Sequence, residues 1–323
     1  MTLLKIFLVL IRFLNLNLRV LWFTAFFFRA VKNFKNPIYY LIMRLPKTIK
    51  KYQDTFNLDY NSLLSENPKT KKSKIKTFLL HLSPSNQSGI INLCPNALNC
   101  AKLCLHHSGN PLYYSSKIKS RINKTYAYSE SPNDFINLLI LNIIRNLRKY
   151  KDIAIRLNGT SDILWENIPL FIDASLSNFI YEKFNYYISS GYYENIFEVF
   201  KNESYIRFYD YTKMLRNYNL IRKYDNYHIT FSFDGASNKK NIDLSYDAMD
   251  NFVNIASVIN IKKSEYIPNE FKSNVFNKTF KCFDGDYDDM RFNDPLNRLI
   301  LLRFKKPYNV RYSKKDIERF TMA

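Results

Sequence analysis

The chain has 323 residues, 46% of them apolar, and a formal charge of +20 from 48 Lys/Arg against 28 Asp/Glu. That length and apolar content suffice to bury a substantial core, which excludes a disordered chain and suits one large domain or one and a half ordinary ones. The charge is lopsided, because residues 1–76 hold 15 Lys/Arg and only 3 Asp/Glu. A basic leader of this kind suits nucleic acid or an anionic membrane surface. Glycine is scarce, six in all, while Tyr, Phe, Asn, Lys and Ile abound. This is the bias of an AT-rich genome, and it favours Lys over Arg for reasons unrelated to binding.

In chain order, residues 1–46 form an apolar, basic, amphipathic helical segment. Its first 35 residues carry no acid, and Lys5, Arg12 and Arg19 recur every seventh position, one stripe on a helix. No apolar run reaches the ~18 residues of a spanning helix. A helix lying on a membrane surface or docked on the protein body is therefore preferred to a span, with an organelle-targeting peptide as the other reading. Residues 47–76 are Lys-rich and polar and read as a linker. The domain proper is expected over 77–308, with a basic tail at 309–323.

Within the domain, strands alternate with helices. Ser131-Pro132-Asn133-Asp134 supplies an N-cap position, a proline for the first turn and an acid for the helix dipole, opening a helix that ends near Arg148-Lys149. Strands are expected over 152–157, 204–209 and 227–233, and helices over 173–187, 212–223 and 246–258. The alternation predicts an α/β fold with a parallel sheet, a complete or partial (βα) barrel, behind an N-terminal helical extension.

The chemistry concentrates in a few loops. Cys94, Cys100 and Cys104 fall within eleven residues, and only Cys282 lies elsewhere. Thiols at this density, with no secretory cleavage signal, read as metal or cluster ligands rather than disulfides. Three thiolates with one open position suit an iron-sulfur cluster. They also suit zinc, with His106, His107 or Cys282 as the fourth ligand. The scarce glycines recur beside polar residues: Gly109 after the cysteines, Gly159 in Arg156-Leu-Asn-Gly-Thr-Ser-Asp162, Gly235 after Asp234, and Gly285 between Asp284 and Asp286. Loops at the carboxyl ends of parallel strands build active sites. The predicted pocket therefore joins the three cysteines to Asn158, Gly159 and Thr160 as cofactor-binding residues and to Asp162, Asp210, Lys213 and Asp234 as catalytic ones. Helix capping is the alternative role for the three aspartates.

The carboxylate-rich run Asp284–Pro295 lacks the distal Glu of a calcium loop and reads as a solvated turn with Arg291 as its internal partner. The tail segments Arg303–Lys306 and Arg311–Lys315 interleave aromatics with cations, a pattern suited to nucleic acid. Phosphate loops, dinucleotide fingerprints and nucleophile motifs are absent.

The ordered motifs Cys94-Pro…Cys-Ala-Lys-Leu-Cys104, Arg121-Ile-Asn-Lys-Thr125, Arg156–Asp162, Phe208-Tyr-Asp-Tyr-Thr-Lys213, His228–Phe233 and Asp284–Pro295 resemble a family of uncharacterised bacteriophage gene products. The likeness covers roughly residues 77–307 and implies an α/β protein of a mobile genome. In whole-chain character the sequence also resembles unidentified reading frames on linear plasmids of plant mitochondria. That likeness implies a mitochondrial protein made without an import signal. The cysteine loop followed by Ile155-Arg-Leu-Asn-Gly-Thr160 is similar to the opening of radical S-adenosylmethionine enzymes. There the resemblance implies that Cys94, Cys100 and Cys104 hold an iron-sulfur cluster, while Asn158, Gly159 and Thr160 meet S-adenosylmethionine. The cysteine spacing departs from it, with five and three intervening residues where usual members have three and two.

Overall fold

The computed structural model describes residues 45–66, 70, 75–108, 110–308 and 310–322. Residues 1–35, with their membrane, docking and targeting readings, lie outside the described residues, as does Gly109.

The stretch 47–66, expected as linker, forms helix α1 (Lys47–Phe56) and strand β1 (Leu64–Ser65). It packs because Ile49 and Tyr52 are buried, with the Tyr52 hydroxyl donating to the Ala127 carbonyl at 2.6 Å. Strand β2 (Lys76–Leu80) follows, then the cysteine loop with the short helix α2 (Asn99–Leu103), then helices α3 (Tyr114–Glu130) and α4 (Pro132–Tyr150). Next come β3 (Ile153–Arg156), the hairpin-like pair β4 (Leu170–Ile172) and β5 (Gly191–Tyr193) with α5 (Ala174–Phe184) between them, and α6 (Ile196–Val199). The chain continues through β6 (Ile206–Thr212), α7 (Tyr218–Ile221), β7 (Tyr227–Ser232), α8 (Lys239–Asp250) and β8 (Ile255–Ile259). It closes with β9 (Glu270–Ser273), β10 (Lys278–Asp284), β11 (Leu299–Arg303) and helix α9 (Lys314–Phe320).

Among the described residues nine strands form one sheet in the order β1-β2-β3-β6-β7-β8-β11-β10-β9. The seven from β2 to β10 run parallel to their neighbours, and the edge strands β1 and β9 are antiparallel. The expected α/β class with a parallel sheet is what the chain adopts. From β2 to β11 the parallel neighbours follow one another in chain order, so each crossover lands beside the strand it left.

Register explains why the two faces differ. Phe78, Ile155, Phe208 and Tyr227 are aligned partners across four strands, so they share one face. That face is covered by helices: Phe78 meets Tyr150 of α4, and Phe208 and Tyr227 meet Phe197 of α6, the latter stacked at 3.7 Å. Helix α4 is buried nearly all round, from Phe135 to Leu147, because α1, α3 and α5 pack on it opposite the sheet. Each fully buried Leu or Ile there contributes about 1.5–3 kcal/mol. The other face is polar, carrying Arg156, Arg207, Tyr209, Tyr211, His228, Thr230 and Ser232 by alternation.

Two expected helices differ. The strand β6 runs on to Thr212 and only Tyr218–Ile221 is helical in the expected 212–223, because Thr212 is paired to Phe231 in the ladder. The expected helix 246–258 is the end of α8 followed by β8; Asn251 ends the helix and Ile255–Ile259 pairs with β11. The carboxylate-rich run is not a solvated turn. Arg291 is fully buried, paired with Asp294 at 3.1 Å and Asp288 at 3.3 Å, while Asp289 accepts from the Tyr209 hydroxyl at 2.9 Å. This segment covers part of the polar face of the sheet, with Phe292 edge-on to Tyr209.

The tail is also docked. Phe320 and Met322 are buried, Ser313 and Asp316 form a capping box, and Lys102 of α2 pairs with Asp316 at 2.7 Å. Gly235, at φ +91°, makes this possible: a Cβ there would collide with the Arg319 carbonyl. Gly235→Ala should therefore lower stability by at least ~2 kcal/mol in chemical denaturation.

Candidate functional site

The cysteine loop leaves β2 at the carboxyl ends of the parallel strands and is stapled to three neighbouring strand ends. At the β3 end, Gly159 N–H donates to the Leu80 carbonyl at 3.0 Å and the Thr160 hydroxyl to that of Leu82 at 2.6 Å. There the Cys94 thiol also reaches the Thr160 carbonyl at 3.7 Å. Only glycine fits at 159, because a Cβ would sit 2.5 Å from the Leu80 carbonyl oxygen and 2.8 Å from His81 Nδ1. At the β6 end, the Asn96 side chain donates to the Lys213 carbonyl at 2.8 Å. At the β7 end, the Asp234 carboxylate accepts the backbone N–H groups of Asn99 at 3.0 Å and Cys100 at 2.8 Å.

All of the predicted residues except Asp210 are thus drawn to the same strand ends. Asp162 accepts from the Thr212 hydroxyl (2.8 Å), Lys213 N–H (2.7 Å) and Arg216 (3.1 Å), tying the β3 end to the β6 end. Arg216 lies buried between Asp162 and Glu166, with Glu166 bidentate at 2.8 and 3.0 Å. Asn158 is spent on its own turn: its side-chain oxygen accepts from Ser161, Ile163 N–H and Trp165, and its amide donates to the Ile163 carbonyl. Asp210 is not brought to the thiols. It shares the helix-covered face with Phe208, fully buried, accepting Asn158 N–H at 2.6 Å and the Tyr227 hydroxyl at 3.4 Å. The three aspartates act as anchors for backbone groups. Lys213 is buried among the site's anionic groups and donates to the Ser232 hydroxyl at 2.5 Å.

The three thiols are free and part-exposed. Cys100 donates its S–H to Cys104, which pushes Cys100 up and holds Cys104 down; the His106 N–H, 3.4 Å from the Cys104 sulfur, adds to the effect. Cys104 is therefore the first of the pair to ionise. Burial pushes the Cys94 thiol up to about 12. Burial disfavours the Lys213 ammonium, but Cys100, Asp234, Asp162 and Cys94 outweigh it and keep it charged. Among the described residues, no group of three or more His, Cys, Asp and Glu side chains is arranged to hold a metal ion. Cys282 is elsewhere, on β10, its thiol against the Phe280 carbonyl, and His107 is engaged by Gln87 and Tyr114.

Several residues here were missed in the sequence. His81 follows β2 directly and packs on Gly159. Arg121 of α3 donates to His106 Nδ1 at 2.6 Å. The available signal was the spacing of Lys117, Arg121 and Lys124, four and three apart, which puts three cations on one side of a helix. The tail cations, expected to face nucleic acid, are partly occupied: Arg303 pairs with Asp284 and Asp286 at 3.1 and 3.4 Å, and Lys305 with Asp286 at 3.7 Å.

The sequence profile of the family described as Gene product 88 matches residues 55–319, which takes in β1, the cysteine loop, the whole parallel sheet and most of α9. The chain belongs to the gene product 88 family. The match begins within α1, so the family unit includes part of the stretch first read as linker. No curated protein and no solved structure matches the chain. Among the described residues no helix is long and apolar enough to cross a membrane.

Burial raises the Asp210 carboxyl to about 7, against the lowering effect of the Asn158 N–H. The folded chain therefore favours the protonated acid. Its stabilising contribution is complete below about pH 4 and is lost as pH rises through 7. Asp210→Asn, which keeps an acceptor for Asn158, should flatten the decline of stability between pH 4 and 7 in denaturation curves taken across that range.

Proposed function

We propose that this mobile-element protein is a radical-type enzyme. In this reading Cys94, Cys100 and Cys104 hold an iron-sulfur cluster, and the turn Asn158–Thr160 lines the seat of a cofactor of the S-adenosylmethionine class. The observation that carries the reading is the place of the thiols. They sit on the loop that follows the first of six parallel strands laid in chain order, directly against the Gly159 turn that ends the second. Parallel strands laid in chain order support the reading of a singly wound, partial barrel over a doubly wound sheet.

The donor set fits the group in its chemistry. Cys104 is the thiol held below its ordinary range, Cys94 and Cys100 are pushed up, and metal binding would displace the protons the three thiols hold. When bound, a cluster with one iron free of cysteine supplies one-electron chemistry. The chain's own contribution is to hold the ligand loop. Asp234 fixes its α2 end, Asn96 its middle and Thr160 its Cys94 end, while Lys213 balances the charge of the thiolates from below. The plasmid likeness extends the proposal to a mitochondrial setting.

The full chain, purified without oxygen, should carry iron and sulfide in about a four-to-four ratio, and Cys100→Ala should lose both while remaining folded. Zinc alone, with Cys100→Ala unfolding, would replace this reading by a zinc-stabilised domain, for which nucleic-acid binding through the basic leader and tail is the function to test. A protein that binds no metal would contradict both.

A further inference from the structure

Helix α3 buries cations that nothing in the cysteine chemistry requires. Arg121 and Lys124 are each 7% exposed, and Lys117 is half-buried one turn earlier. Buried charges are ordinarily paired. Among the described residues, none of these three meets a carboxylate. Arg121 spends one side-chain hydrogen bond on His106 Nδ1 at 2.6 Å, Lys117 donates to the carbonyls of His106 and Ser108 at 2.9 Å, and Lys124 reaches only the Leu63 carbonyl at 3.3 Å.

The histidines make the deficit sharper. A guanidinium only donates, so His106 Nδ1 must accept and the proton must sit on Nε2. That Nε2–H is buried with no acceptor, in a residue of 0% exposure. His81 Nδ1 is likewise buried without a partner. Burial together with Arg121, Lys124, Arg156 and Lys117 holds His81 well below its ordinary range, so four cations bear on one imidazole. Of these, only Arg156 has a carboxylate, Asp289 at 3.7 Å. Among the described residues the other three have none.

We propose that Lys117, Arg121 and Lys124, gathered about His81 and His106 beside Cys104, form a binding site for a doubly charged oxyanion of the phosphate class. The guanidinium offers a planar fork, the ammonium groups supply charge, and His106 Nε2–H supplies a neutral donor, the mixture that phosphate oxygens accept best. The excess of cations over carboxylates is the reason for a dianion rather than a carboxylate. A separate open groove of about 1130 Å³ lies along the same helix, lined by Lys119 and Tyr114 together with Asn57–Asp59, and it shares Lys124 with the proposed site.

The test is calorimetric titration of the full chain at low ionic strength with inorganic phosphate and, separately, with acetate. One saturable phosphate site, at least tenfold tighter than acetate and weakened at least tenfold by Arg121→Gln, supports the proposal. If Arg121→Gln does not fold, Lys117→Met, at a half-exposed position, should weaken phosphate several-fold while leaving the fold intact. Absence of saturable phosphate binding overturns the site, and acetate binding as tightly as phosphate overturns the dianion assignment. Phosphate binding that survives Arg121→Gln or Lys117→Met but is lost in Arg311→Gln/Lys315→Gln belongs to the tail and overturns the proposal as well. Iron and sulfide content follows Cys100 while phosphate follows Arg121, so this proposal and the cluster reading fail independently.

Discussion

The carboxylate of Asp234 accepts two backbone N–H groups, those of Asn99 and Cys100, from a loop more than 130 residues earlier in the chain. Much of the site's geometry depends on that pair of bonds. It caps α2 from across the sheet, sets where Cys100 and Cys104 lie relative to β7, and carries the loop over the strand ends between. Asp162 does the same work between β3 and β6. Both acids sit at strand ends because a parallel sheet points its carboxyl edges one way, so carboxylates there can reach the same incoming loop. These carboxylates hold the loop that carries the thiols.

Charge organises the rest. On one side of the thiols Lys213 is balanced by Asp162 and Asp234, and Arg216 by Asp162 and Glu166. On the other side, along α3, the balance is missing, and cations face neutral histidines. The contrast between paired and unpaired cations within one region is the observation on which the proposed anion site rests. Cys104 is held down first by the Cys100 S–H and then by the His106 N–H, with Arg121 of that side adding to them.

The class of the fold was legible in the sequence because the alternation of strands and helices survives in hydrophobic period alone. The position of the site was legible because scarce glycines and clustered cysteines stand out in a chain that avoids both. What escaped had specific physical causes. Ile255–Ile259 looked helical because an apolar run beside a helix has no period of its own. The 47–66 stretch looked like linker because it runs into the Lys-rich segment 69–76 and because only a few side chains, Ile49, Tyr52, Leu63 and Leu64 among them, bury it. Arg291 and its aspartates looked solvated because ion pairs at three-residue spacing leave no mark of burial in sequence. His81 had no motif at all; its place comes from Gly159, seventy-eight residues later, packing against it.

Hydrogen exchange across residues 94–104, compared between the native chain and Asp234→Ala, tests most directly whether the thiol loop is held to the sheet in this way. Loss of protection confined to that loop, with β6 and β7 as protected as before, is the result expected. Unchanged protection of Asn99 and Cys100 would show that the loop is held by something other than Asp234 and would contradict the arrangement described.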